Sequence, residues 1–138
     1  MPVMSCVFCR IVAGAEPSQT IHEDEHAIAF LNPAQATRGH ALVVPRAHHR
    51  DLAEIPVETA AHVMRAAVEV SRRLAGALGA PGVNFWHASG ETAWQSVFHF
   101  HLHVVPRFEL TDLTPPWTEV VHPVESLAGL AEEIRGWR

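Results

Sequence analysis

Three histidines, His99, His101 and His103, stand at alternate positions in the segment VFHFHLHVV. On an extended chain alternate side chains share one face and lie roughly 7 Å apart. Imidazoles crowded into one partly desolvated site resist being charged together, so some stay neutral near neutral pH. A neutral imidazole is a nucleophile or a base, and a charged neighbour is an acid. A strand face carries apolar residues when buried and mixed polar residues when wet. Unbroken alternation of three histidines therefore points to chemistry rather than to packing.

A second histidine set lies upstream, at His40, His48 and His49, with His48 just beyond Pro45 in PRAHH. The two cysteines form one C-x-x-C pair, Cys6 and Cys9. One pair cannot staple a chain of this length, so it is metal-binding, redox-active or a pair of buried thiols. Zinc takes four N or S ligands, and two histidines would complete a Cys2His2 set. The spacings are far too long for a zinc finger, so such a site would be structural and tie the N-terminal segment to the sheet. A redox pair is disfavoured because the cysteines do not follow a strand in a βαβ pattern. The segment GETAWQS at residues 90–96 leads into the histidines. Its backbone N–H groups, amide and hydroxyl suit an anion, and a plain connection would look the same.

Composition narrows the classes. The 138 residues are 48% hydrophobic and 18% charged, which predicts one domain spanning residues 1–138 with a real core, ending in a tail from about 108 to 138. Ten basic residues against fifteen acidic ones give a formal charge of −5, a sign that argues against nucleic-acid or anionic-membrane partners. All the basic residues are Arg. Without Lys there is neither a Schiff-base lysine nor a Walker-A phosphate loop. No apolar run approaches the ~20 residues of a membrane span, and no signal-peptide pattern opens the chain, so a cytoplasmic location is expected.

The elements that must position these residues follow from pattern. A short helix is predicted over Phe8–Ala13, stopped by Gly14. Strands are predicted at Thr20–Glu23, His26–Leu31, Ala41–Val44 and Val83–His87. The recurrence of Val57, Ala60, Ala61, Met64, Ala67, Val68, Ser71 and Leu74 predicts a long amphipathic helix with these residues as one stripe facing the core, ended by Gly79–Gly82. A fifth strand is expected over Val97–Val105, with Phe98, Phe100, Leu102 and Val104 on the face opposite the histidines. Val124–Trp137 has a weak helical pattern. The class is α+β, an antiparallel sheet with its helices on one side.

The segment QSVFHFHLHVVPR, residues 95–107, resembles the histidine-triad (HIT) signature, His-φ-His-φ-His-φ-φ with φ apolar. The opening CVFCRIVAGAEPS is similar to the start of zinc-bearing HIT proteins, and EDEHAIAFLNPAQATRGHALVVPRAHH to their next strands. The likeness runs from residue 6 to about 107. It implies the HIT α+β sheet, continued across a homodimer, and a nucleotide hydrolase or transferase of the phosphoramidase-like branch. The expected substrate is a purine nucleoside 5′-phosphoramidate or related AMP conjugate, cleaved at the α-phosphorus. A dinucleoside polyphosphate hydrolase and a non-catalytic nucleotide sensor are the rival expectations.

The resemblance also implies roles. His101 would be the nucleophile, with His103 on the phosphate and helping to place the proton, and with His40 completing the cluster. Gln95 and Ser96 would hold phosphate oxygens or the leaving group, Asn32 the ribose hydroxyls, and Phe8, Ile11 and Phe30 the base. A structural zinc would be held by Cys6, Cys9, His48 and His99, with His49 as the substitute for His48 if the turn is shifted by one. The phosphoramidase-type pattern has Asn where this chain has Ala88, and often Gly where it has Trp94. Both departures bear on the leaving group.

Overall fold

The computed structural model describes residues 3–138. The elements run α1 (Val7–Val12), β1 (Thr20–Glu23), β2 (Ala27–Leu31), β3 (Ala41–Pro45), α2 (Val57–Leu78), β4 (Gly82–Trp86), β5 (Leu102–Arg107) and α3 (Ala128–Gly136). Short 3-10 turns at Glu91–Ala93, Leu110–Asp112 and Val124–Leu127 fill the connections. The five strands form one antiparallel sheet in the order β1-β2-β3-β5-β4. No helix of the described residues is long and apolar enough to cross a membrane.

The sheet's two faces are set by strand parity. Ala27, Ala29, Ala41, Val43, Leu102 and Val104 point to α2, which meets them with Val63, Ala66, Ala67, Val70 and Leu74. The alanines let helix and sheet approach closely, and burying such apolar surface contributes about 25 cal/mol per Å². The αL conformation of Gly79, φ 71°, ends α2 as its sequence predicts. The other parity, Ile28, Phe30, Leu42 and Val44, is covered by Phe8 of α1. The long helix thus lies on one side as expected, but α1 packs on the opposite face. His103 pairs with Leu42 across β3–β5, which puts it on the α1 face.

The fifth strand differs from its prediction. It begins at Leu102, not Val97, and the β3–β5 register runs only from Ala41–Val104 to Val43–Leu102. Pro45 has no N–H to offer a further rung, and its carbonyl accepts from the His99 ring at 2.9 Å. The Phe100 N–H turns instead to the carbonyl of His49, at 2.6 Å. Phe100, Leu102 and Val104 reach the α2 core, whereas Phe98 is 43% exposed.

Candidate active site and metal centre

Four side chains converge below α1. Cys6 caps the helix, its sulfur accepting from the Cys9 N–H at 3.4 Å. His48 follows β3, and His99 approaches from the segment before β5. Cys6 Sγ lies 3.5 Å from His99 Nδ1, Cys9 Sγ lies 3.3 Å from His48 Nδ1 and 3.5 Å from His99 Nδ1, and the two Nδ1 atoms are 3.2 Å apart. All four ligand atoms lie within 4.8 Å of one another. Tetrahedral zinc, with bonds of about 2.1 Å to N and 2.3 Å to S, sets its ligand atoms roughly 3.3–3.8 Å apart.

The surroundings also fit a metal. His99 gives its Nε2–H to the Pro45 carbonyl, which leaves the Nδ1 lone pair facing the cluster. Burial, with smaller repulsion from His48 and His101, lowers the His99 pKa to about 4, so the ring is neutral as a ligand must be. Burial pushes the Cys9 thiol up, a shift that a bound cation reverses by taking the thiolate. Both cysteines are free rather than disulfide-bonded. His49 is not in the cluster.

Next to this centre the other histidines form a hydrogen-bonded series. His101 Nδ1 lies 2.8 Å from the carbonyl of His99, so that nitrogen carries the proton and Nε2 keeps its lone pair. The Ala36 N–H donates to His40 Nδ1 at 3.1 Å, which puts the His40 proton on Nε2. That proton is given to His103 Nδ1 at 2.8 Å, so His103 in turn carries its proton on Nε2. The His101 and His103 ring centroids are 5.2 Å apart, and those of His40 and His103 are 5.1 Å apart. Burial lowers the pKa of His40 and of His101; with repulsion from His101 and His40 it takes His103 to about 4. All three rings are neutral near pH 7. The site therefore offers a bare ring nitrogen and, beside it, a ring N–H donor.

A family model for the HIT domain matches residues 13–110. The chain belongs to the HIT domain family. The adenosine 5′-monophosphoramidase hnt1 of Schizosaccharomyces pombe is 33% identical to this HIT chain over 132 residues, 95% of this chain and 96% of that one. The crystal structure of a HIT family protein from Bacillus anthracis superposes with a TM-score of 0.86 at 34% identity, over 94% of each chain. That of a Zn-bound histidine triad family protein from Mycobacterium smegmatis gives 0.73 at 45% identity, over 75% of this chain and 76% of that one.

The remaining residues singled out in the HIT sequence are placed unequally. Phe8 lies edge-on to Phe30, His99 and His101, with centroids 5.5, 5.9 and 5.1 Å away, so it forms a wall against the His101 ring. Phe30 is 2% exposed and belongs to the core beneath Phe8, and Ile11 packs at the edge of the same cluster. Asn32 gives its N–H to the His40 carbonyl at 2.9 Å, while its side-chain oxygen accepts from the Ala34 N–H at 3.0 Å. Ser96 is exposed. Gln95 is buried, and its amide is engaged within the protein: Nε2 donates to the carbonyls of Arg50 at 2.7 Å and Val97 at 3.1 Å, and Oε1 accepts from the Gly90 N–H at 2.8 Å. It ties the entering loop to the segment after His48.

One residue near the site escapes sequence reasoning. His87 reads there as the last residue of a strand, but β4 stops at Trp86 and the His87 ring reaches the carbonyl of His101. Its polar neighbour Ser89, two residues on, was the available signal.

Proposed function

We propose that this chain is a nucleotide-binding HIT hydrolase that cleaves purine nucleoside 5′-phosphoramidates, or related AMP conjugates, at the α-phosphorus. The observation that carries it is the bond from His101 Nδ1 to the His99 carbonyl, which fixes the lone pair on Nε2. That nitrogen attacks phosphorus in line. The Nε2–P bond forms, the P–N bond to the amine breaks, and the departing amine takes its proton from solvent water while the neutral His103 keeps its Nε2–H on a phosphoryl oxygen. The ring becomes cationic, and the His99 carbonyl steadies its Nδ1–H. Water then attacks the nucleotidyl-histidine, releasing AMP and returning Nε2 to its free state. The His103 N–H and donors of the loop ending at Ser96 meet the phosphoryl charge. Asn32 holds the ribose, Phe8 walls the base with Ile11 and Phe30 behind it, and Gln95 contributes by fixing the loop.

In the same proposal Cys6, Cys9, His48 and His99 hold one structural zinc, which anchors the residue whose carbonyl orients the nucleophile. The donor set and spacing support zinc, as does the Zn-bound relative. The chain works as a homodimer with β4 at the junction: every residue of β4 is exposed at the sheet's edge, where a bare strand invites pairing. The location is cytoplasmic.

The test is incubation with adenosine 5′-phosphoramidate. Release of AMP and a +AMP adduct on His101, both lost in His101→Ala, support the proposal. AMP binding without turnover favours the sensor, and turnover of dinucleoside polyphosphates alone favours that hydrolase.

A further inference from the structure

The nucleophile's backbone lies just outside the sheet. The β3–β5 register stops at Leu102, so the carbonyls of His99 and His101 fall beyond the β3 ladder. Side chains hold them instead. The His99 carbonyl accepts from His101 itself, and the His101 carbonyl accepts from His87 Nδ1 at 2.8 Å.

His87 is itself held from three sides. With its proton on Nδ1, its Nε2 accepts from the Ser89 hydroxyl at 2.6 Å. Ser89 Oγ accepts from the Leu52 N–H at 2.9 Å, which reaches back to the segment that follows His48. The His87 ring stacks on Phe100, centroids 4.4 Å apart and planes 30° apart, and Phe100 is buried in the α2 core. The series Leu52 N–H, Ser89 O–H, His87, His101 carbonyl therefore runs in one direction, with each donor matched to one acceptor.

We infer that His87, backed by Ser89, is a positioning residue that sets where the His101 ring stands, and so its line of attack on phosphorus. The inference rests on the nucleophilic role proposed above for His101. His87 touches the peptide of the nucleophile and acts through it. A displacement of about 1 Å at a reacting atom costs on the order of 100-fold in rate, which sets the scale of the loss expected when this bond is removed.

Three variants test the inference. His87→Phe keeps a ring over Phe100 and removes the donor; His87→Asn restores an N–H at the position of Nδ1; Ser89→Ala removes only the support behind Nε2. With adenosine 5′-phosphoramidate, His87→Phe is expected to slow adduct formation about 100-fold with KM changed less than about threefold. His87→Asn should recover most of that loss, and Ser89→Ala should lie between. Independently of turnover, ring 15N resonances of His101 should keep the Nδ1–H tautomer in every variant but broaden or shift in His87→Phe, where the His101 peptide has lost its tether, and return towards wild type in His87→Asn. A folded His87→Phe protein with wild-type kcat, a His87→Asn protein no faster than His87→Phe, or His101 ring resonances in His87→Phe as sharp and as placed as in the wild type each overturns the inference. A wild type that forms no adduct overturns the proposed function instead, and the His101 resonances then decide the positioning of the ring.

Discussion

His40 Nε2 lies 2.8 Å from His103 Nδ1 and donates its proton there, because the Ala36 N–H occupies the other His40 nitrogen. One backbone amide on the loop before β3 thus dictates the tautomers of two rings in turn. The last proton in that series sits on His103 Nε2, the atom available to a phosphoryl oxygen.

Breaking the series at its first ring should be costly. His40→Phe keeps the bulk and removes the donor, so His103 loses its fixed tautomer. We expect kcat with adenosine 5′-phosphoramidate to fall about 10–100-fold with the fold intact. Steady-state kinetics beside a circular-dichroism melt check this, and an unchanged kcat removes His40 from the machinery.

Acid should destabilise the protein in a definite window. Burial, with repulsion from His101 and His40, holds His103 at about 4 when folded, against an ordinary 6.5, and burial lowers His40 and His101 as well. The unfolded chain takes up protons through the ordinary range while the folded chain does not, so stability is full above that range and is lost as pH falls towards 4. Urea midpoints at about pH 7.5 and about pH 5 should differ, the acidic one being lower. A midpoint that holds steady contradicts the neutral rings.

Metal content should follow the cysteines. Elemental analysis of purified protein is expected to show one zinc per chain, and Cys9→Ser should weaken retention against a chelator more than about 100-fold. Wild-type protein purified without any zinc, from zinc-replete medium, would remove zinc from the proposal.

Gly39 gives a mutational check on the approach to His40. Its φ is +94°, and a Cβ there would lie 2.6 Å from Leu78 Cδ1, 3.2 Å from Leu74 Cδ2 and 3.3 Å from Pro106 Cγ. Gly39→Ala therefore combines backbone strain with overpacking against α2, and should cost about 1–3 kcal/mol. Denaturant titration measures it; a neutral substitution would mean that this corner is loosely packed.

Much of this architecture follows from local pattern. The β1 limits are those that the sequence predicts, β3 is longer only by Pro45, and the spacing of apolar residues indicates α2 but not its buried face: Val57, Ala61 and Met64 are exposed, and Val63, Ala66 and Val70 join Ala67 and Leu74 against the sheet instead. Alternation singles out the three histidines, and cysteine spacing indicates a metal cluster that His48 rather than His49 completes. What pattern misses is non-local. The start of β5 depends on a carbonyl of Pro45 meeting the His99 ring across 54 positions of sequence. The side taken by α1 depends on Phe8 meeting Phe30. A six-residue helix has too little periodicity to declare a face. Gln95, a polar side chain beside the histidines, suggests a ligand contact, and its burial turns it inward to clamp the loop.

The early end of the β3–β5 ladder at Val43–Leu102 divides labour between adjacent histidines. His103 is bolted into a sheet and can serve as a fixed anvil. His101 hangs from side-chain tethers at the margin of that sheet, so in the proposed mechanism any shift of its ring as the bond to phosphorus forms and breaks would load those tethers rather than the pleated framework.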